Sequence, residues 1–174
     1  MSSKRKDHRV PDSSLTIESS APTLTVGRIV EQLGSVAPDP AAMSERIRHW
    51  TREGLLVPIH QRHSGTGRHR GYSPDVTYEA AILNALVTAG LQVVSRPYVI
   101  AALTKGKAAL RKWQRARSTG CKLPLLFLVI CHETTEIGGD PTVSLQEGIL
   151  DHDSTAEVRI LINLSQLFSH VRTN

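Results

Sequence analysis

The stretch from Met43 to Ala89 constrains the fold more than any other part of the chain. Three arginines, Arg46, Arg48 and Arg52, ride on a segment whose apolar residues Ala42, Met43, Ile47 and Trp50 recur at helical spacing, and Gly54 follows as a stop. Leu55, Leu56, Val57 and Ile59, broken by Pro58, lead into a hairpin tipped by His63-Ser-Gly-Thr-Gly67 and returning through Arg68 to Tyr72. Ser73-Pro-Asp75 then caps another helix, with Pro74 in its first turn. A cationic helix followed by a glycine-tipped hairpin bearing Arg62, Arg68 and Arg70 is what a module needs to enter a DNA groove and clamp the adjoining phosphates. The expected layout is a winged helix-turn-helix.

The flanking sequence extends this plan to an α+β chain with additional helices and a small β-rich C-terminal element. Residues 1–22 are rich in Ser, Pro and charge without apolar periodicity, and are expected to form a disordered arm. Thr25, then Val26, Ile29, Val30 and Leu33, then Gly34 read as N-cap, apolar stripe and stop of a first helix, and Asp39 or Pro40 opens the arginine-bearing second one. The third helix carries Val76, Ala80, Leu83 and Val87 on one face, widened by Ile82 and Leu86, up to Gly90. A fourth is expected over Ser95–Leu103 and a fifth over Lys105–Ser118, with Ala109, Leu110, Trp113 and Ala116 as a thin stripe. Strands are expected at Leu125–Cys131, Thr142–Leu150 and Glu157–Ile162, before a closing helix at Leu164–Val171. The domains read from this are the arm at 1–22, the DNA-binding head at 23–104, a basic linking helix at 105–120 and a small α/β domain at 121–174.

Charge divides the chain the same way. Residues 44–72 hold six Lys/Arg against two acids, a net of +4, and residues 105–122 hold seven Lys/Arg and no acid. Residues 123–174 hold two Arg against seven acids, a net of −5. Phosphate contact is therefore assigned to the front half. The cluster at 105–122 has two readings, an extension of the DNA footprint or a counterweight to the acidic tail, of which the second is the simpler. Aromatic content of 4% gives little support to single-strand binding on a stacking platform. No apolar run reaches the roughly 18 residues of a membrane span, so the expectation is a cytoplasmic, nucleoid-associated protein without membrane contact.

Arg48-His-Trp-Thr-Arg-Glu-Gly-Leu-Leu-Val-Pro58, Arg70-Gly-Tyr-Ser-Pro-Asp-Val76 and Ala89-Gly-Leu91 together resemble the MerR family of bacterial transcription regulators. The likeness covers roughly residues 24–104. It implies that Arg46, Arg48 and Arg52 face the major groove or its flanking phosphates, and that Arg68, Arg70 and Tyr72 meet the backbone from the wing. Ser44, His49, Arg62 and His63 complete the candidate DNA-binding set. The family's dimers on near-palindromic promoter sites imply a homodimer, with RNA polymerase or another protein as a possible partner of the C-terminal domain. This chain departs in its longer Gly34–Met43 linker, its expanded hairpin tip and its short 105–118 segment. Dimerisation is then expected to fall to strand edges of the tail.

Each candidate has a plainer reading beside it. The arginines are ordinary residues of a solvated helix face, of which two and not all three can share a line of contact. Trp50 is divided evenly between a core anchor and a sugar-phosphate contact. Cys121, Cys131 and His132 invite metal sensing, but the apolar segment between the cysteines reads as a strand that holds them apart, and no metal or cofactor is expected. His132-Glu133 and Asp151-His152-Asp153 lack any accompanying catalytic motif, and no enzyme activity is expected. The competing functions are an excisionase-like DNA-bending factor and a protein-interaction adaptor that uses the helix-turn-helix for docking.

Overall fold

A computed structural model describes residues 23–59, 70–90, 96–132, 142–148 and 158–172. The arm and the hairpin segment 60–69 lie outside the described residues. The architecture is α+β: α1 (Val26–Leu33), a 3-10 turn (Gly34–Val36), α2 (Pro40–Arg52), α3 (Asp75–Thr88), α4 (Arg96–Ser118), β1 (Leu126–His132), β2 (Thr142–Glu147), β3 (Val158–Asn163) and α5 (Leu164–Ser169). The strands form an antiparallel sheet in the order β2-β1-β3.

The helix starts follow local chemistry. The Thr25 side chain accepts from the Arg28 amide, and Asp39 accepts from the amides of Ala41 and Ala42 with Pro40 at the first position. Helix α2 ends in a Schellman arrangement: Leu55 N–H donates to the Trp50 carbonyl, Gly54 N–H donates to that of Thr51, and Gly54 takes a φ of 73°. Ser73 does not cap α3 with its side chain as expected. Its carbonyl accepts the Val76 amide instead, and Pro74 occupies the cap position.

Helix α3 organises the molecule because it is buried on nearly every side rather than along the one face the sequence suggested. Thr77 donates to the Gln32 side chain of α1, and Asn84, seven residues on, donates to the Val36 carbonyl. Residues offset from these by two positions lie about 200° around the helix. There Ile82 packs on Gly106 of α4, and Glu79 accepts from Lys107 at 2.9 Å. So α1 and α2 occupy one side of α3, and α4 the other.

The two helices expected across 95–118 are one helix of 23 residues. The helix runs on through Gly106, where a Cβ would sit 2.4 Å from Ile82 Cδ1: this glycine provides the close approach of α4 to α3. The stripe of Ala102, Gly106, Ala109, Leu110 and Trp113 is consumed inside the molecule. It is not exposed for a coiled coil with a second copy.

The C-terminal third shares its core with the helices. Leu126, Leu128 and Ile130 alternate toward them, in register with Val143 and Leu145 on β2 and Ile160 and Ile162 on β3. Phe168 of α5 meets the Tyr78 ring at 5.3 Å and the Trp113 ring at 6.3 Å, both edge-on, and the Arg172 amide donates to the Gln32 carbonyl. The head–linker boundary expected at 104/105 falls inside α4. Among the described residues no helix is long and apolar enough to cross a membrane.

Candidate nucleic-acid interface

Helix α2 buries Met43, Ile47 and Trp50, with Trp50 at 5% exposure, which settles that indole as a packing residue. The opposite face then belongs to Glu45, Arg48 and Arg52, with His49 beside them, all exposed. Arg48 and Arg52 are four residues apart and so stand one above the other, separated by about 5–6 Å at Cβ. That spacing suits two guanidinium groups reaching neighbouring phosphates, or one phosphate and a guanine edge. His49 and Arg52 occupy the last turn, where the helix carbonyls favour positive charge. Arg48 pairs with Glu45, and with both side chains more than half exposed the pair is worth little.

Arg46 sits around the side of α2 and does something different. Its guanidinium donates to Asn84 Oδ1 at 2.6 Å, while Asn84 Nδ2 donates to the Val36 carbonyl at 2.9 Å. Asn84 is 7% exposed, so this chain of bonds ties α2, α3 and the 3-10 turn together at a buried polar point. Arg46 thereby fixes the angle at which α2 presents Arg48 and Arg52. The signal for this role was an asparagine in the otherwise apolar run Ala80–Val87, which sequence reading passed over. Ser44 is turned back on its own helix, its hydroxyl donating to the Pro40 carbonyl at 2.9 Å.

Tyr72 requires a correction. It is fully buried, and its hydroxyl lies 3.1 Å from Thr51 Oγ1, which itself donates to the Ile47 carbonyl at 2.8 Å. The threonine's single proton is committed to the carbonyl, so the phenol is the donor. Tyr72 braces the last turns of α2 from below and leaves the set of phosphate contacts. Its backbone exchanges two hydrogen bonds with Leu24, at 2.8 and 2.9 Å, and neighbouring Gly71 accepts from the Ile59 amide at 2.8 Å. Residues 59 and 71 therefore close the root of the segment between them. Arg70 stands at that root, half-buried. Arg62, His63 and Arg68 lie outside the described residues.

Elsewhere, a groove of about 610 Å³ runs between the 3-10 turn with the end of α3 and the β3–α5 corner, lined by Val36, Asn84, Thr88, Leu161, Leu167 and His170 among others. Cys121 is exposed and Cys131 half-buried on β1. Among the described residues no three metal-ligating side chains gather. A scan of the chain against protein-family models finds no match, and neither does a search of curated proteins. The likeness to MerR regulators is carried by the residues alone.

Proposed function

We propose that this chain is a sequence-specific, double-stranded DNA-binding transcription regulator of MerR-like winged-helix type, acting as a homodimer. The observation that carries the reading is the outward pair Arg48 and Arg52 on a helix held rigidly from behind. Trp50 and Ile47 pack beneath it, Arg46 fixes its side through Asn84, and Tyr72 braces its end through Thr51. A helix supported at three points can hold base-reading groups to the tolerance that specificity requires. Arg70, half-buried at the root of the expected wing, would supply a second backbone contact beside the helix. Both outer strands of the sheet are edges among the described residues, and Leu161 on β3 is 40% exposed, which supports pairing of copies through the tail.

Binding-site selection from a random duplex library with the full chain tests this. Enrichment of a sequence with two symmetric half-sites is the expected result. A selected pool indistinguishable from the input would overturn the reading.

A further inference from the structure

The heaviest run of positive charge in the chain is not on α2. The outward face of α4, opposite the stripe that packs on α3, is centred on Arg111 and Arg115, with Lys105 on its flank and Lys122 following the helix; all four are exposed. The ion pairs of α4 among the described residues use other lysines. Lys107 is paired inward with Glu79 on α3, and Lys112 pairs with Glu147 on β2. Among the described residues Lys112 is where α4 meets an acid of the tail, whereas Arg111 and Arg115 are exposed and stand outside these ion pairs.

Position gives this face its meaning. Thr77 and Asn84 of α3 turn toward α1 and α2, while Glu79 and Ile82, about 200° around, turn toward α4. Helices α2 and α4 therefore lie on opposite sides of α3, each with its apolar stripe buried, and with Arg48 and Arg52 on the one and Arg111 and Arg115 on the other exposed. A straight duplex seated on Arg48 and Arg52 would leave the α4 face free.

We infer that the outward face of α4 is a second, sequence-independent surface for the phosphate backbone of duplex DNA, and that the protein holds two DNA segments on its opposite sides. Guanidinium groups on successive turns, without a base-reading element beside them, suit contact with phosphates alone. The inference rests on the α2 reading only for the first segment; the second has its own residues and its own test.

The test uses the full chain, one bead-tethered duplex and a fluorescent second duplex. Wild type is expected to retain the second duplex on the bead. Lys105→Ala/Arg111→Ala/Arg115→Ala is expected to stay on the tethered duplex but lose that capture, with circular dichroism melting checking that it is folded. Arg48→Ala/Arg52→Ala should still bind duplex weakly through α4, with a log–log salt slope of about three. If the triple variant captures the second duplex as well as wild type, two α2 faces of a dimer suffice and the inference is wrong. Capture of nothing by wild type is equally fatal, and binding to phosphatidylglycerol vesicles in its place assigns the face to membrane. If instead Arg48→Ala/Arg52→Ala binds as tightly as wild type while the triple variant binds nothing, the α2 reading fails and the α4 surface stands.

Discussion

Helices α2 and α4 both bury one stripe and expose arginines, yet they meet α3 by different means. Helix α2 reaches it through a polar bond, Arg46 to Asn84, whereas α4 lies close against it, Gly106 on Ile82, with Lys107 paired to Glu79. The difference teaches that a cation count on a helix says little by itself. One of the three arginines on α2 bonds back into the fold, and one lysine on α4 does the same through Glu79, while the central arginines of α4 are left on the surface.

The largest expected effect is at the apolar anchor. Gly106→Val forces Ile82, 1% exposed, out of its place and is expected to destabilise the protein by about 2 kcal/mol, measured by urea unfolding. A loss below about 0.5 kcal/mol would mean that α4 is not held at this point.

The polar anchor comes next. Arg46→Ala strands the buried Asn84 carbonyl oxygen and is expected to cost about 1 kcal/mol. Arg48→Ala removes only an exposed pair and should change stability by less than about 0.5 kcal/mol. Equal losses for the two would erase the distinction between the positioning arginine and the outward one.

The contact between α3 and the α4–α5 layer gives a pH signature. Burial raises the Tyr78 phenol above its usual 10.0, against weaker opposing effects of Gln114 and Arg117. Its contribution to stability is complete below the unfolded-state value and is lost as pH rises from there through the higher native one, because the unfolded chain releases the proton first. Tyr78→Phe is expected to flatten that alkaline loss. Unfolding midpoints at about pH 9 and about pH 11 check it, and parallel declines for wild type and variant would show that Tyr78 does not contribute.

The smallest effect separates the two faces by their acids. Glu45 sits among the α2 cations, so Glu45→Gln is expected to raise duplex affinity severalfold at low salt while leaving stability nearly unchanged. An unchanged or lower affinity would argue that the α2 face does not meet phosphate.

The parts of the fold legible in the sequence were those governed by local chemistry. Thr25, Asp39 with Pro40, and Gly54 each mark a helix end through a bond within a few residues, and the continuous apolar run Leu125–Cys131 marks the central strand β1. What stayed hidden depended on partners far along the chain. Gly106 looks like a weak point until Ile82, 24 positions earlier, is placed against it. Arg46 looks like Arg48 until Asn84 is placed beside it, and Tyr72 looks like a surface phenol until Thr51 accepts its hydrogen bond. The tail read as a separate domain because the composition shift after Gly120 is visible, while the contact of Phe168 with Tyr78 and Trp113 is not.

The salt dependence of duplex binding by wild type and by Arg48→Ala/Arg52→Ala tests the central claim most directly. Removing two phosphate-binding guanidinium groups from α2 should lower the slope of log affinity against log salt by about two, with the unfolding midpoint unmoved. An unchanged slope and affinity in the double variant would contradict the assignment of α2 as the DNA-reading helix.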